Sequence, residues 1–238
     1  MQFVVLGWGE LINLQGQSAL ITGGSTELAR ALAQALAGAG VSVCLCGKNA
    51  QLVEESAAAL AAQGSPCLAV ISPLDTLEAA QAACDRALSA FGRLDILVSV
   101  SPFFAGGQIH TLSLHSWDTV INANLRETFL IARAVLPHFR AQQRGQILAV
   151  SSDSALGAYP QEGAYGVAMH GLNALIEQIR VENAEAGIRA HILCPGLALS
   201  PLSRPDQEPV LSTSDVADWA LWLLTRPPYL RGSGPIQI

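Results

Sequence analysis

Ser18-Ala19-Leu20-Ile21-Thr22-Gly23-Gly24-Ser25-Thr26-Glu27-Leu28-Ala29 joins a short apolar run to a glycine pair and then to an alanine- and leucine-rich segment. Apolar residues on both sides of Ser18–Thr22 predict a strand buried on both faces of a parallel sheet. Glu27–Ala39 reads as a helix stopped at Gly40. The same alternation runs outward along the chain. Strands are expected at Val41–Cys46, Cys67–Ile71, Asp95–Val100, Gln146–Ser151 and Arg189–Cys194, with a short last one at Pro235–Ile238. Helices are expected at Ala50–Ala62 behind an Asn49 cap, at Thr76–Ala90 behind Asp75, and from Ser116 to Gln142 as one long helix. Two more are expected at Gly163–Ala186 and Ser214–Leu224. Repeated strand–helix units require right-handed crossovers and a sheet covered on both faces. The fold class is therefore α/β, a doubly wound parallel sheet in a single domain over 14–238, with 1–13 as an extension packed on it.

Half of the 238 residues are apolar and 13% are charged, which suits one large core rather than disorder. A net charge of -6 excludes a nucleic-acid surface built from clustered Lys and Arg. No window is apolar enough for a membrane span, and the apolar start (Phe3, Val4, Val5, Leu6, Trp8) lacks a basic leader region. The five cysteines, Cys44, Cys46, Cys67, Cys84 and Cys194, form no CxxC pair. They read as reduced core thiols in a cytoplasmic protein, with no metal site. His110, His115, His138 and His191 have no metal-ligand spacing either. Trp219 and Trp222 are expected to pack the last helix on the sheet.

In such sheets ligands bind beyond the carboxyl ends of the strands. The loops at those ends carry several marks in order. They are Thr22-Gly23-Gly24-Ser25-Thr26-Glu27-Leu28-Ala29; Asp95-Ile96-Leu97-Val98 ahead of Ser99-Val100-Ser101-Pro102; Trp117 with Asn124-Leu125; Ser152 thirteen residues before Tyr165; and Gly187-Ile188-Arg189 leading to Pro195-Gly196. From about Leu14 to Ile238 the chain resembles the classical short-chain dehydrogenase/reductase (SDR) family, whose domain is a Rossmann fold. The few residues between Gly196 and the last helix, with the ending Arg226-Pro227-Pro228 to Ile236-Gln237-Ile238, are similar to its short-lid, NADP-preferring members. That likeness implies a comparatively open pocket.

The resemblance implies an oxidoreductase with Ser152, Tyr165 and Asn124 as catalytic residues. It implies a cofactor site at Gly23, Ser25, Leu28, Lys48, Pro195 and Gly196. Gly47 stands where NAD-preferring members carry an acid and Lys48 where a base meets a 2′-phosphate, so the implied cofactor is NADP. It also implies a small-molecule substrate and a homodimer or homotetramer built on the two long helices. Their spaced residues Ala132, Leu136, Ala164, Ala168, Leu172 and Leu175 are the expected contact.

The family's chemistry needs more than this. Its tyrosine, a phenol with an ordinary pKa of about 10, works near neutrality because a lysine one helical turn on lowers that pKa. Here position i+4 from Tyr165 is Met169, which has no charge and no donor. The only lysine is Lys48. His170, at i+5, points about 140° away from Tyr165 around the helix. Tyr165 is thus expected to keep a near-normal phenol pKa. Three substitutions weigh against NADP itself: Glu27 in place of the loop's middle glycine, Ser72 where an Asp faces adenine, and Met169. Ser99-Val100-Ser101-Pro102 also lacks the stabilising Asn of the family's NNAG loop. Three functions compete. One is an NADP-dependent carbonyl reductase or alcohol dehydrogenase with weak or lost hydride transfer. Another is a non-redox isomerase, dehydratase or cyclase using Ser152 and Tyr165 as hydrogen-bond donors. The third is a non-catalytic scaffold.

Overall fold

The structure, a computed structural model, describes residues 11–101, 103–196, 211–227 and 234–238. In chain order these form β1 (Ser18–Ile21), α1 (Glu27–Gly38), β2 (Ser42–Gly47), α2 (Ala50–Ala62), β3 (Cys67–Ile71), α3 (Leu77–Phe91) and β4 (Ile96–Val100). There follow α4 (Leu114–Ile121), a π-helical turn (Asn122–Arg126), α5 (Glu127–Ala141), β5 (Gly145–Val150), a 3-10 turn (Asp153–Ala155), α6 (Gly163–Asn183), β6 (Ile188–Cys194), α7 (Thr213–Thr225) and β7 (Ile236–Gln237). The sheet among the described residues runs β3-β2-β1-β4-β5-β6-β7, and every pairing is parallel. The strand order reverses between β1 and β4, so the crevice for ligands opens there.

The two-residue period of each strand sorts its side chains onto the two faces. Leu20, Cys44, Cys46, Leu97, Ile147 and Ile192 join the core beneath α3, α5 and α6. Ile21, Val43, Leu45, Val98, Leu148 and Leu193 join the one beneath α1, α2 and α7. Each such fully buried Leu or Ile contributes about 1.5–3 kcal/mol of transfer free energy. Cys44 and Cys46 are buried free thiols, and burial pushes the Cys46 thiol up to about 12, which makes it inert at neutral pH. No group of metal-ligating residues occurs among the described residues. No described helix is long and apolar enough to cross a membrane.

Most predicted elements hold to within a residue or three. The expected single helix from Ser116 to Gln142 departs most. It starts earlier, because Ser113 Oγ caps it by accepting from Ser116 N at 3.0 Å. It is also interrupted at Asn122–Arg126, where the backbone widens to a π turn. The helix expected to reach Ala186 ends at Asn183, whose side-chain amide donates to Ile179 O at 2.8 Å and competes with the helical ladder. Trp219 and Trp222 do not pack α7 on the sheet. They are 40% and 39% exposed and meet each other edge to face at 5.5 Å, while Val216, Ala217, Ala220, Leu223 and Leu224 face the core. Ala132, Ala164, Ala168 and Leu172 are likewise buried in the protomer's own core and cannot form a contact between copies.

Ile12 N donates to Thr225 O at 2.8 Å, tying residue 12 of the N-terminal segment to α7. Residues 1–10, Pro102, 197–210, where the short lid is expected, and 228–233 lie outside the described residues. Arg189 reaches from β6 to Leu224 O at 3.0 Å and Arg226 O at 2.6 Å, so a cation closes the carbonyl end of α7.

Candidate active site

The β1–α1 turn is set by close approach. Gly23 has φ +67°, and a Cβ there would lie 3.1 Å from the Val100 side chain. Gly24 N donates to Cys46 O at 2.8 Å, and Thr26 caps α1 by accepting from Ala29 N at 3.1 Å. Ser25 Oγ accepts from Asn49 N at 3.2 Å, which ties this turn to the end of β2. Leu28 packs half-buried against the core. Glu27 is exposed at the first position of α1, and its Oε1 accepts from Thr213 Oγ1 at 3.4 Å. Its carboxylate sits favourably at the helix N-terminus, where a pyrophosphate would otherwise go.

The turns after β2 and β3 lie beside one another. A Cβ on Gly47 would come within 2.9 Å of both Ser25 Oγ and Val53 Cγ2, so an acidic side chain has no room there. Lys48 Nζ lies 2.6 Å from the Oε1 of Glu127, the first residue of α5. Ser72 holds its own turn: its N donates to Gly47 O at 3.0 Å and its Oγ accepts from Leu74 N at 3.3 Å.

The loop after β4 compensates for its missing asparagine. Ser99 and Thr128 share a hydroxyl–hydroxyl hydrogen bond of 2.7 Å, and Thr128 Oγ1 also donates to Asn124 O at 3.0 Å. Asn124 itself is fully buried. Its Oδ1 accepts from Phe103 N at 3.1 Å, while its Nδ2 donates to Phe103 O at 2.7 Å and Val120 O at 3.1 Å. Asn124 therefore holds the Phe103 peptide rather than facing a substrate. The next ring, Phe104, meets Tyr165 at 4.9 Å with planes 64° apart.

Ser152 follows β5 and Tyr165 lies in the first turn of α6. Gly163 starts that helix, and a Cβ there would lie 2.4 Å from Gly107 O, a collision no side chain escapes. Ser152 Oγ donates to Asp153 Oδ1 at 2.9 Å and lies near enough to Tyr165 to act on its phenol. Burial raises the Tyr165 phenol above 10, and the carboxylates of Glu162 and Asp153 raise it further, against the lowering effect of the Ser152 hydroxyl. The near-normal value expected from sequence is thus corrected upward. Glu162 Oε2 is buried with no partner. Met169 is fully buried, and its Sδ accepts from Ser151 Oγ at 3.6 Å. His170 Nδ1 pairs with Gly166 O at 2.9 Å, away from Tyr165. Pro195 O accepts from Asp153 N at 3.0 Å, and Gly196 N donates to Ile238 O at 3.1 Å, which closes the β6 end of the crevice.

The structure brings Ser152 near Tyr165, turns Asn124 to Phe103 and Val120, and ties Ser25 to the end of β2 beside Lys48. Sequence reading missed Glu127, Phe104, Glu162 and Ser151. Glu127 offered a signal, an acid three residues after Asn124, but its partner lies 79 positions away in sequence. A nicotinamide dinucleotide fits these residues unevenly. Beside Lys48, the tight surroundings of Gly47 leave no room for an acidic side chain. The pyrophosphate turn carries an opposing carboxylate, and no cation stands between Tyr165 and the nicotinamide side among the described residues.

A family model described as short chain dehydrogenase matches residues 17–210. The chain is 30% identical over 194 residues to Dehydrogenase/reductase SDR family member 4 of Bos taurus, covering 80% of this chain and 69% of that one. It is 31% identical over 200 residues to the D-beta-hydroxybutyrate dehydrogenase of Rhizobium meliloti (strain 1021), covering 80% and 76%. The crystal structure of gox2181 superposes with a TM-score of 0.85 at 23% identity, over 95% of this chain and 96% of that one. The chain belongs to the short-chain dehydrogenase/reductase family, an oxidoreductase-type family with a Rossmann-like fold. Members of that family generally bind NAD(P).

Proposed function

We propose that this chain descends from NADP(H)-dependent carbonyl reductases and alcohol dehydrogenases and that its own hydride transfer is weak or lost. Its site acts on a small-molecule carbonyl compound through two hydrogen-bond donors, Ser152 and Tyr165. The observation that carries this reading is the surroundings of Tyr165: a partly buried phenol beside Glu162 and Asp153, with the uncharged, fully buried Met169 one turn on. A phenol held above 10 is almost wholly protonated at neutral pH. It is a poor base for alcohol oxidation but a good donor to a developing oxyanion. That supports non-redox chemistry of the isomerase, dehydratase or cyclase kind over a scaffold, with Tyr165 donating to the carbonyl oxygen and a neighbouring carboxylate, Asp153 or Glu162, taking the α-proton.

The preferred cofactor, if one is held, is NADP, supported by the lack of room at Gly47 and by Lys48. Gly23, Ser25, Leu28, Pro195 and Gly196 would line the rest of its cleft. We place the protein in the cytoplasm as a homodimer or dimer of dimers.

The test pairs two assays on the purified chain. NADPH absorbance is followed with a panel of simple aldehydes and ketones, and exchange of α-protons into deuterated water is followed by NMR. The reading expects no NADPH consumption above background and an exchange rate that falls on Tyr165→Phe. Turnover of NADPH at ordinary enzyme rates, about 1–1000 per second, overturns it.

A further inference from the structure

We propose that Glu127 is a latch on Lys48: a 2′-phosphorylated adenosine is gripped by Lys48 only when Glu127 releases the ammonium. The inference goes beyond the chemistry at Tyr165 and rests on the assignment of this end of the cleft to NADP.

Three features of the pair carry it. The bond is short, 2.6 Å between Lys48 Nζ and Glu127 Oε1. It is also asymmetric, with the lysine side chain 58% exposed and the glutamate 16%. The ammonium is therefore reachable from solvent on a flexible stem, whereas the carboxylate is fixed inside, at the residue that follows the π turn. Finally, Lys48 follows Gly47, where Ser25 and Val53 leave no room for a Cβ and so for an acidic side chain that would repel a 2′-phosphate.

A 2′-phosphate that takes Lys48 strips Glu127 of its cation. The groups around Glu127 then offer no replacement. Asp75, from the turn before α3, is a second carboxylate acting on it, and Cys46 of β2 is a neutral buried thiol. The neighbouring Arg126 spends its guanidinium on the Asp75 backbone carbonyl. Burial already holds the Glu127 carboxyl above the usual carboxylate range even with Lys48 bound. A half-buried carboxylate left unpaired beside another acid takes a proton instead. Phosphate binding at this end is thus coupled to proton uptake by Glu127. Uptake on binding means that affinity rises as pH falls through the range where the released Glu127 titrates.

The experiment is isothermal calorimetry on the full chain with adenosine 2′,5′-bisphosphate and with adenosine 5′-monophosphate. Each titration is run near neutral pH in two buffers of different ionisation enthalpy. The two probes share one 5′-phosphate, so Glu27 affects both alike and their affinity ratio isolates the 2′-phosphate. Wild type is expected to prefer the bisphosphate and to take up more protons on binding it than Glu127→Gln does. Glu127→Gln, nearly isosteric, is expected to raise the preference about tenfold, the loss of a partly buried competing charge. Lys48→Ala, at an exposed side chain, is expected to abolish the preference. An unchanged ratio and equal proton uptake in Glu127→Gln overturn the latch while leaving the NADP assignment standing. No discrimination between the probes in any of the three proteins overturns the assignment and the latch together.

Discussion

The hydroxyl of Ser151 donates to the sulfur of Met169 across 3.6 Å, at a buried point between the end of β5 and the second turn of α6. The position where the family's lysine would extend toward a nicotinamide ribose is thus filled by an apolar side chain packed back into the core. Nothing charged replaces it beside Tyr165 among the described residues, and the charges that do act on that phenol, Glu162 and Asp153, are both negative.

Restoring the lysine should restore chemistry at a cost in stability. Met169→Lys places an ammonium in a site with no solvent exposure, which costs a few kcal/mol unless it reaches Ser151 or Tyr165. The thermal midpoint should fall by about 5–10 °C, at about 2–4 °C per kcal/mol for a chain of this size. Combined with Glu27→Gly, the variant should gain NADPH-dependent reduction of simple carbonyls, seen in NADPH absorbance. Glu27→Gly alone should tighten NADPH by a few-fold, the worth of one carboxylate at a helix N-terminus. An active wild type and an inactive double variant would show that the lysine position is not what limits the site.

Asn124 should behave as a positioning residue. Asn124→Ala removes the partner of Phe103 N, Phe103 O and Val120 O in a fully buried place. Leaving such groups unpaired costs about 2–3 kcal/mol. Calorimetric unfolding should show a midpoint lowered by several degrees, and the loop carrying Phe104 should lose hydrogen-exchange protection. A midpoint within about one degree of wild type would mean that the Phe103 peptide finds other partners.

The strand–helix alternation was legible in the sequence, because strand period and glycine stops are local signals that agree with one another, while Ser152 and Tyr165 were read from the family's spacing. The asymmetry between Tyr165 and its surroundings was only half legible. Met169 could be read at i+4, but Glu162 and Asp153 became relevant only once burial and distance were known. Lys48 was read as a 2′-phosphate contact, and nothing local indicates that Glu127, on another element, bonds it. The small residues of α5 and α6 were misread as a surface because an apolar stripe looks the same whether it meets the protomer's own sheet or a partner.

His191 makes the protein acid-labile in a defined window. It is 7% exposed, its Nε2 has no partner, and burial together with Arg189 lowers its pKa from 6.5 to about 4. The unfolded chain then binds this proton more tightly than the folded one. Stability is intact above pH 6.5 and is lost as pH falls from 6.5 toward 4, by up to about 3 kcal/mol. Urea unfolding of wild type and His191→Gln across this range should show a steeper acid loss in wild type. Parallel curves would assign the loss to other groups.

Assembly can be read from side chains that α5 and α6 leave outside. Phe129, Val167 and Val181 are 44%, 46% and 64% exposed. An interface on these helices predicts a dimer or tetramer by light scattering at micromolar concentration, and dissociation on Phe129→Glu. A monomeric wild type would refute it.

The proposed chemistry depends above all on the protonation state of Tyr165, and titration of that phenol tests it most directly. Tyrosine labelled at the ring carbon bearing the hydroxyl, with Tyr165→Phe to assign the signal, lets NMR follow this one phenol against pH. The expected midpoint lies above the ordinary value of 10, with the phenol intact across the physiological range. A midpoint below about 8, the region in which a phenol becomes a useful base near neutrality, would contradict the proposal.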